Sequence, residues 1–244
     1  PSVSELAKVV AQGALMGARG NSGVILSQIL RGFARVIQGK DAFDGVDFAE
    51  ALRQGAATAY KGVMKPVEGT ILTVARECAE SAARAASAGY DLEQVLATAV
   101  AEAEASLSRT PSLLPVLAEA GVVDAGGQGL VHMLEGALRY ARGEPLETVG
   151  PIDIQMRHAH APDGDYNYDT QFIIKGSNLD IEAIRQEIQT IGDSVLVVGD
   201  DRTVKVHVHC DYPGRAVDYG IQQGEVTSVI IENINKMAQG YRMT

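Results

Sequence analysis

Tryptophan is absent from this 244-residue sequence, phenylalanine occurs four times, and aromatic residues make up only 5% of the chain. With Ala, Gly, Leu and Val abundant instead, the composition favours closely packed helices. Cysteine is scarcer still. Cys78 and Cys210 fall in segments of different character, which excludes a disulfide framework and makes a reducing compartment the expectation. No run of Lys and Arg occurs, and the formal net charge is -10. The clustered cations that displace counterions from a phosphate backbone are missing, so nucleic acid is excluded as a partner. No apolar stretch reaches the roughly 20 residues that span a bilayer, and PSVSELAKVV lacks the basic-then-apolar order of a signal peptide. Cytoplasmic residence is expected by elimination. What remains is ordinary for a globular protein, 46% hydrophobic and 21% charged, and long enough for two cores.

The two halves carry different periods. Through residues 1–143 apolar positions recur at helical spacing. Examples are Val24, Ile25, Ile29 and Phe33, then Phe48, Leu52 and Ala56, then Ile71, Val74, Ala75 and Cys78. Further segments are marked by Leu92, Val95, Leu96 and Ala99 and by residues 113–120 and 130–140. No alternating run interrupts them, which predicts an all-helical domain whose many Ala and Gly positions allow close helix approach. Residues 144–168 are rich in Gly, Pro, Asp and His without any period, and read as a linker. Over 169–244 the order is strand, helix, strand, strand, helix, strand, with Pro213 opening the second helix. That βαββαβ order predicts a small ferredoxin-like α/β domain.

Chemistry-bearing residues gather at three glycine-marked turns in the helical half. They are Gly17-Ala-Arg-Gly-Asn-Ser-Gly23 between helices expected to end near Met16 and begin near Val24, then Pro66-Val-Glu-Gly-Thr70, then Asp124-Ala-Gly-Gly-Gln-Gly129. The first turn of a helix exposes unpaired N–H groups and a partial positive charge. Where Gly admits a ligand close to the backbone, phosphate oxygens can use those donors. Ser22 and Thr70 would add hydroxyls, and Arg19 would oppose charge on a transferring phosphoryl group. Asn21, Ser22, Thr70 and Asp124 are equally ordinary N-cap residues, so the residues alone leave both readings open. No strand precedes the glycines and no P-loop Lys-Ser/Thr pair follows, so neither nucleotide fingerprint applies.

These turns also carry a resemblance. GALMGARGNSGVILSQILRGF, AYKGVMKPVEGTILTVARE and TPSLLPVLAEAGVVDAGGQGL resemble the nucleotide-binding domain of the bacterial fatty acid kinase A subunit, itself similar to the L subunit of dihydroxyacetone kinase. YDTQFIIKG and GDSVLVVGDDRTVKVHVHCDYPGRAVDYG resemble the middle domain of the same kinase. The resemblance implies a helical barrel holding ATP and Mg2+ at one end. It further implies transfer of the γ-phosphate to the carboxylate of a fatty acid held by a DegV-like carrier protein, giving an acyl phosphate. Matched by motif, the nucleotide-site positions are Asn21, Ser22, Gly23, Gly69, Thr70, Asp124, Gly126 and Gly127. The family's Asn-x-Phe-Pro-Val-Pro-Asp-Gly-Asp-Thr-Gly segment, whose aspartates hold Mg2+, has no counterpart in these residues, nor has its C-terminal domain. Phosphoryl transfer leans on metal to neutralise phosphate oxygens, so the expectation is a chain truncated at both ends and catalytically incomplete alone.

His207 and His209 sit two apart in a predicted strand, which puts both imidazoles on one face and Cys210 on the other. Two imidazoles begin a zinc site, which needs about four ligands. The resemblance supplies a third: the family's Tyr-Cys-Thr-Glu-Phe matches Tyr168-Asp-Thr-Gln-Phe172, so Asp169 replaces a thiolate with a harder donor. Two packed histidines on an edge strand is the plainer reading. The pair His158 and His160 lies in the linker, and Asp163 and Asp165 lack the spacing of a calcium loop. His132, inside a helix, reads as packed or hydrogen-bonded. Against the fatty acid kinase reading stand a dihydroxyacetone-type kinase subunit, which the second domain disfavours, and a non-catalytic nucleotide- or lipid-binding module or dimerisation scaffold. The open edge of a small sheet suits a homodimer.

Overall fold

The computed structural model describes residues 2–145 and 166–234. The chain divides into two compact units, Pro1–Val149 and Gly150–Thr244. Most of the expected linker, with His158, His160, Asp163 and Asp165, lies outside the described residues.

The first unit holds seven helices among its described residues: α1 (Val3–Gly17), α2 (Gly20–Ile37), α3 (Gly45–Gly62), α4 (Ile71–Ser87), α5 (Leu92–Leu113), α6 (Pro115–Ala120) and α7 (Ala125–Ala141). Local chemistry sets most of their starts. Ser2 and Glu5 form a capping box on α1, Asp91 and Gln94 form another on α5, and Asp44 caps α3. The small residues act as expected, because α2 and α3 touch backbone to backbone. A Cβ placed on Gly55 would stand 2.7 Å from the Ile29 carbonyl, and one on Gly32 would collide with the Gln54 carbonyl. Val24, Ile37, Leu72, Val74 and Val95 are fully buried in this unit, each worth about 1.5–3 kcal/mol relative to exposure.

Two boundaries differ from expectation. The second helix begins at Gly20, not near Val24, because extended Ala18 and Arg19 followed by Gly20 at φ +59 complete the turn in few residues. Asn21 and Ser22 therefore lie in the first helical turn and are not caps. The fifth helix runs through Pro111 to Leu113. Proline cannot donate to the carbonyl four residues back, and here the Thr110 hydroxyl donates to that Leu107 carbonyl at 2.7 Å.

The second unit runs β1 (Tyr168–Lys175), α8 (Ile181–Gln189), β2 (Asp193–Gly199), β3 (Thr203–Cys210), α9 (Pro213–Gln223) and β4 (Glu225–Asn233). All pairings are antiparallel and the strand order is β2-β3-β1-β4, the ferredoxin-like arrangement. One face carries Phe172, Ile174, Val195, Val197, Val204, Val206, Val208 and Cys210, packed with Ile184, Ile188 and Ala216 of the two helices. The other face is also buried and is mixed: Asp169, Gln171, Lys205, His207 and His209, each at most 5% exposed, share it with Ile173, Leu196 and Val198. The histidine strand β3 is central, which corrects the edge-strand reading of the pair.

Candidate functional site

The three glycine-marked turns converge. A Cβ on Gly126, in the first turn of α7, would lie 2.9 Å from the Ser22 Oγ of α2. Asp124, the N-cap of α7, accepts from the Gly127 N–H at 2.6 Å and from the Ile71 N–H that opens α4. Burial pushes the Asp124 carboxyl above its ordinary value, with those two N–H groups pulling it back. One carboxylate thus joins the starts of α4 and α7, while α2 meets α7 through Ser22. Gly127 is buried against Val74 of α4 and Leu107 of α5.

The turn before α4 is fixed from within. Thr70 caps α4 by accepting from the Leu72 N–H at 3.3 Å, and its hydroxyl donates to the Val67 carbonyl at 2.8 Å. The Gly69 N–H donates to Thr73 Oγ1 at 2.9 Å, which donates on to Glu68 at 2.7 Å. Glu68 also accepts from Tyr60 at 3.0 Å and from Arg76 at 3.1 Å. Partial burial raises the Glu68 pKa, but the bonds from Thr73, Tyr60 and Arg76 together outweigh it and hold the carboxyl low. Gly69 has φ +85, a region other residues enter only with strain. Sequence reasoning missed Glu68, Tyr60 and Arg76, because their spacing signals nothing until α3 and α4 pack.

The α2 start differs from the other two. Its N-cap, Arg19, makes no capping bond, and no acidic residue stands in its first turn. The Arg19 guanidinium is exposed and donates to the Ala18 carbonyl at 3.2 Å. Asn21 Oδ1 is buried with no hydrogen-bond partner. This end of the unit thus offers uncapped N–H groups, an exposed Ser22 and an orphan acceptor beside two glycine-rich turns, a chemistry suited to an anion with hydroxyls or water attached. Mg2+ fits Asp124 less well, because its carboxylate already accepts from two backbone N–H groups.

In the second unit, Asp169 pairs across the ladder with His209, and Gln171 with His207. The ligand atoms of Asp169, His207 and His209 all lie within 4.8 Å of one another. His207 Nδ1 stands 3.2 Å from Asp169 Oδ1, and the two imidazole centroids are 5.1 Å apart. Gln171 Nε2 donates to both Asp169 oxygens at 3.2 and 3.0 Å. Burial pushes the Asp169 carboxyl up to about 6, Gln171 and Lys205 pulling it down and Glu232 pushing it up. One oxygen and two nitrogens on adjacent strands fit a divalent ion with an open position. This is the only group of three or more such ligands among the described residues. Cys210 faces the hydrophobic core and is no substitute ligand. His132 is exposed and bonded to Glu135 at 2.9 Å, so it is hydrogen-bonded and not packed.

Fold and sites together define a helical unit with a polar, glycine-lined end, followed by a ferredoxin-like unit with a buried Asp-His-His cluster. The chain belongs to the DAK2 domain family, which residues 1–139 match, and residues 165–240 match the middle domain of proteins like the fatty acid kinase A subunit. It is 42% identical over 249 residues to an uncharacterized protein of Staphylococcus aureus, an alignment covering 96% of this chain and 45% of the relative. An uncharacterized protein of Staphylococcus saprophyticus is also 42% identical, over 248 residues, with the same coverage. The chain therefore spans somewhat under half the length of these curated relatives, 45% of each. Among the described residues no helix is long and apolar enough to cross a membrane.

Proposed function

We propose that the chain is the nucleotide-binding and middle portion of a cytoplasmic ATP-dependent kinase subunit, with residues 144–168 joining the two. The γ-phosphate would pass to the carboxylate of a fatty acid presented by a DegV-like carrier protein, giving an acyl phosphate. The observation that carries this reading is the meeting of Ser22 with Gly126 beside an α2 start that has no cap. Asn21, Ser22 and Gly23 would face the phosphates, with the Gly69–Thr70 turn and the Gly126 backbone closing around them and Gly127 behind, its N–H held by Asp124. Arg19, exposed at the rim, is free to swing over transferring charge.

Mg2+ neutralises phosphate oxygens when bound with ATP, and the Asp124 carboxylate at the meeting point already accepts from two backbone N–H groups. That engagement favours a second reading for these residues by themselves, a nucleotide-binding module. Zn2+ suits Asp169, His207 and His209, where it would hold β1 to β3. The β4 edge, which exposes Val229 and Ile231, suits a second copy of the chain.

The test is ATP titration calorimetry on the protein and on a Ser22→Ala/Thr70→Ala variant. Affinity should fall about tenfold, roughly 1.4 kcal/mol. Equal affinities would return both residues to a purely structural role. In a version extended to the length of its relatives, trapping of acyl phosphate with hydroxylamine should depend on both ATP and the loaded carrier.

A further inference from the structure

Thr110 belongs to none of the glycine-marked turns, yet it touches two of them. It is fully buried in the last turn of α5. Its hydroxyl donates to the Leu107 carbonyl that Pro111 leaves without a donor, and the same oxygen accepts from the Asp124 N–H at 3.1 Å. Its carbonyl lies 3.0 Å from where a Cβ on Gly69 would stand, with Leu114 and Leu113 at 2.9 and 3.0 Å. So Thr110 supports the Gly69 turn with its backbone and the Asp124 turn with its side chain.

Asp124 continues the chain of contacts. Its N–H is held by Thr110, and its carboxylate holds the Gly127 N–H of α7 and the Ile71 N–H of α4. Those two N–H groups stand in the first turns of α7 and α4, where helix donors are otherwise unpaired, and the fold has already used them. A carboxylate so engaged has two of its roughly four acceptor positions taken by the fold and its orientation set by them. A negative charge there would also repel a phosphate brought close to it.

We propose that Thr110 and Asp124 are positioning residues of the nucleotide site, fixing the starts of α4 and α7 relative to each other without either touching the nucleotide. The proposal rests on the nucleotide-binding reading above. It departs from the resemblance at one residue, Asp124, which moves from ligand contact to strut.

The roles separate by conservative rescue. ATP affinity and melting temperature are measured side by side on the unsubstituted protein and on four variants. Thr110→Val keeps the shape but removes the hydroxyl, and should weaken ATP binding about tenfold, while Thr110→Ser should recover most of that loss. Asp124→Ala should weaken binding about tenfold, and Asp124→Asn, whose amide oxygen still accepts from backbone N–H groups, should lose much less. An Asp124→Asn loss as large as that of Asp124→Ala would mean that the charge itself is read by ligand or metal, and overturns the proposal. So would ATP affinity indifferent to both Thr110→Val and Asp124→Ala, whatever their melting temperatures. Should Thr110→Val fail to fold, the Asp124 pair decides alone. No ATP binding by the unsubstituted protein overturns the functional reading itself, and this proposal with it.

Discussion

The two candidate sites are built from opposite materials. In the helical unit the site is made of helix starts and turn backbone, with short side chains such as Ser22 and Thr70, and it is mostly half-buried with Ser22 exposed. In the sheet unit it is made of side chains standing on two paired strands, all nearly inaccessible. A site of backbone N–H groups depends on where whole helices lie, so residues that touch no ligand govern it. A site of side chains on a ladder depends on its own donors, since the strand pairing places them whatever else shifts. The first is tuned by packing and the second by donor chemistry.

The comparison is tested most severely by His207→Ala. Removing one of three donors should abolish stoichiometric metal in elemental analysis of the purified protein, because the remaining two make a poor site. ATP affinity should be untouched. Full metal occupancy in the variant would dissolve the proposed centre, and a parallel loss of ATP binding would show that the sites are not the separate constructions described above.

Gly126→Val makes the reverse test, with the next largest effect. Its Cβ would meet Ser22 Oγ at 2.9 Å, and the added methyls would push the starts of α2 and α7 apart. Overpacking of this kind typically costs about 1–3 kcal/mol of stability. ATP affinity should fall by more than about tenfold while metal content stays at the wild-type level. Unchanged ATP affinity with a lowered melting temperature would reduce this convergence to ordinary packing.

The same contrast explains what could be read before folding. Period-two alternation put His207 and His209 on one face and Cys210 on the other, and the sheet agrees, because strand geometry is local. The third ligand came only from resemblance, since nothing in Tyr168-Asp-Thr-Gln-Phe172 announces that Asp169 will pair with His209 across the ladder. In the helical unit Thr70 and Asp124 were legible as caps, and both are caps. Their convergence was expected through the resemblance and not from periodicity. Ser22 reaches Gly126, and Asp124 reaches Ile71, only through the crossing of α2, α4 and α7, which helical periodicity does not encode. The capping alternative for Asn21 and Ser22 fails because Gly20 at φ +59 starts the helix early and puts both inside its first turn. Thr110 was missed altogether. A Thr-Pro pair usually marks a helix end, and its value here is that the threonine repairs the bond the proline breaks.

The smallest predicted effect concerns the pH dependence of the Gly69 turn. The folded Glu68 carboxyl is held below its ordinary value, after partial burial is outweighed by Thr73, Tyr60 and Arg76. A depressed carboxyl contributes stability that is present above the unfolded pKa and lost as pH falls through the folded one. Glu68 is half exposed, 51% at its side chain, so solvent screening limits that contribution to a few tenths of a kcal/mol. Amide exchange resolves it better than a melting curve. Below the ordinary carboxylate range the Gly69 N–H should lose protection faster than amides in the middle of α4, once intrinsic exchange rates are corrected. Glu68→Gln should show that lower protection already at neutral pH. If protection in the two proteins is identical at neutral pH, the ion pair with Arg76 is ornamental, and the Thr73 hydroxyl alone holds the turn.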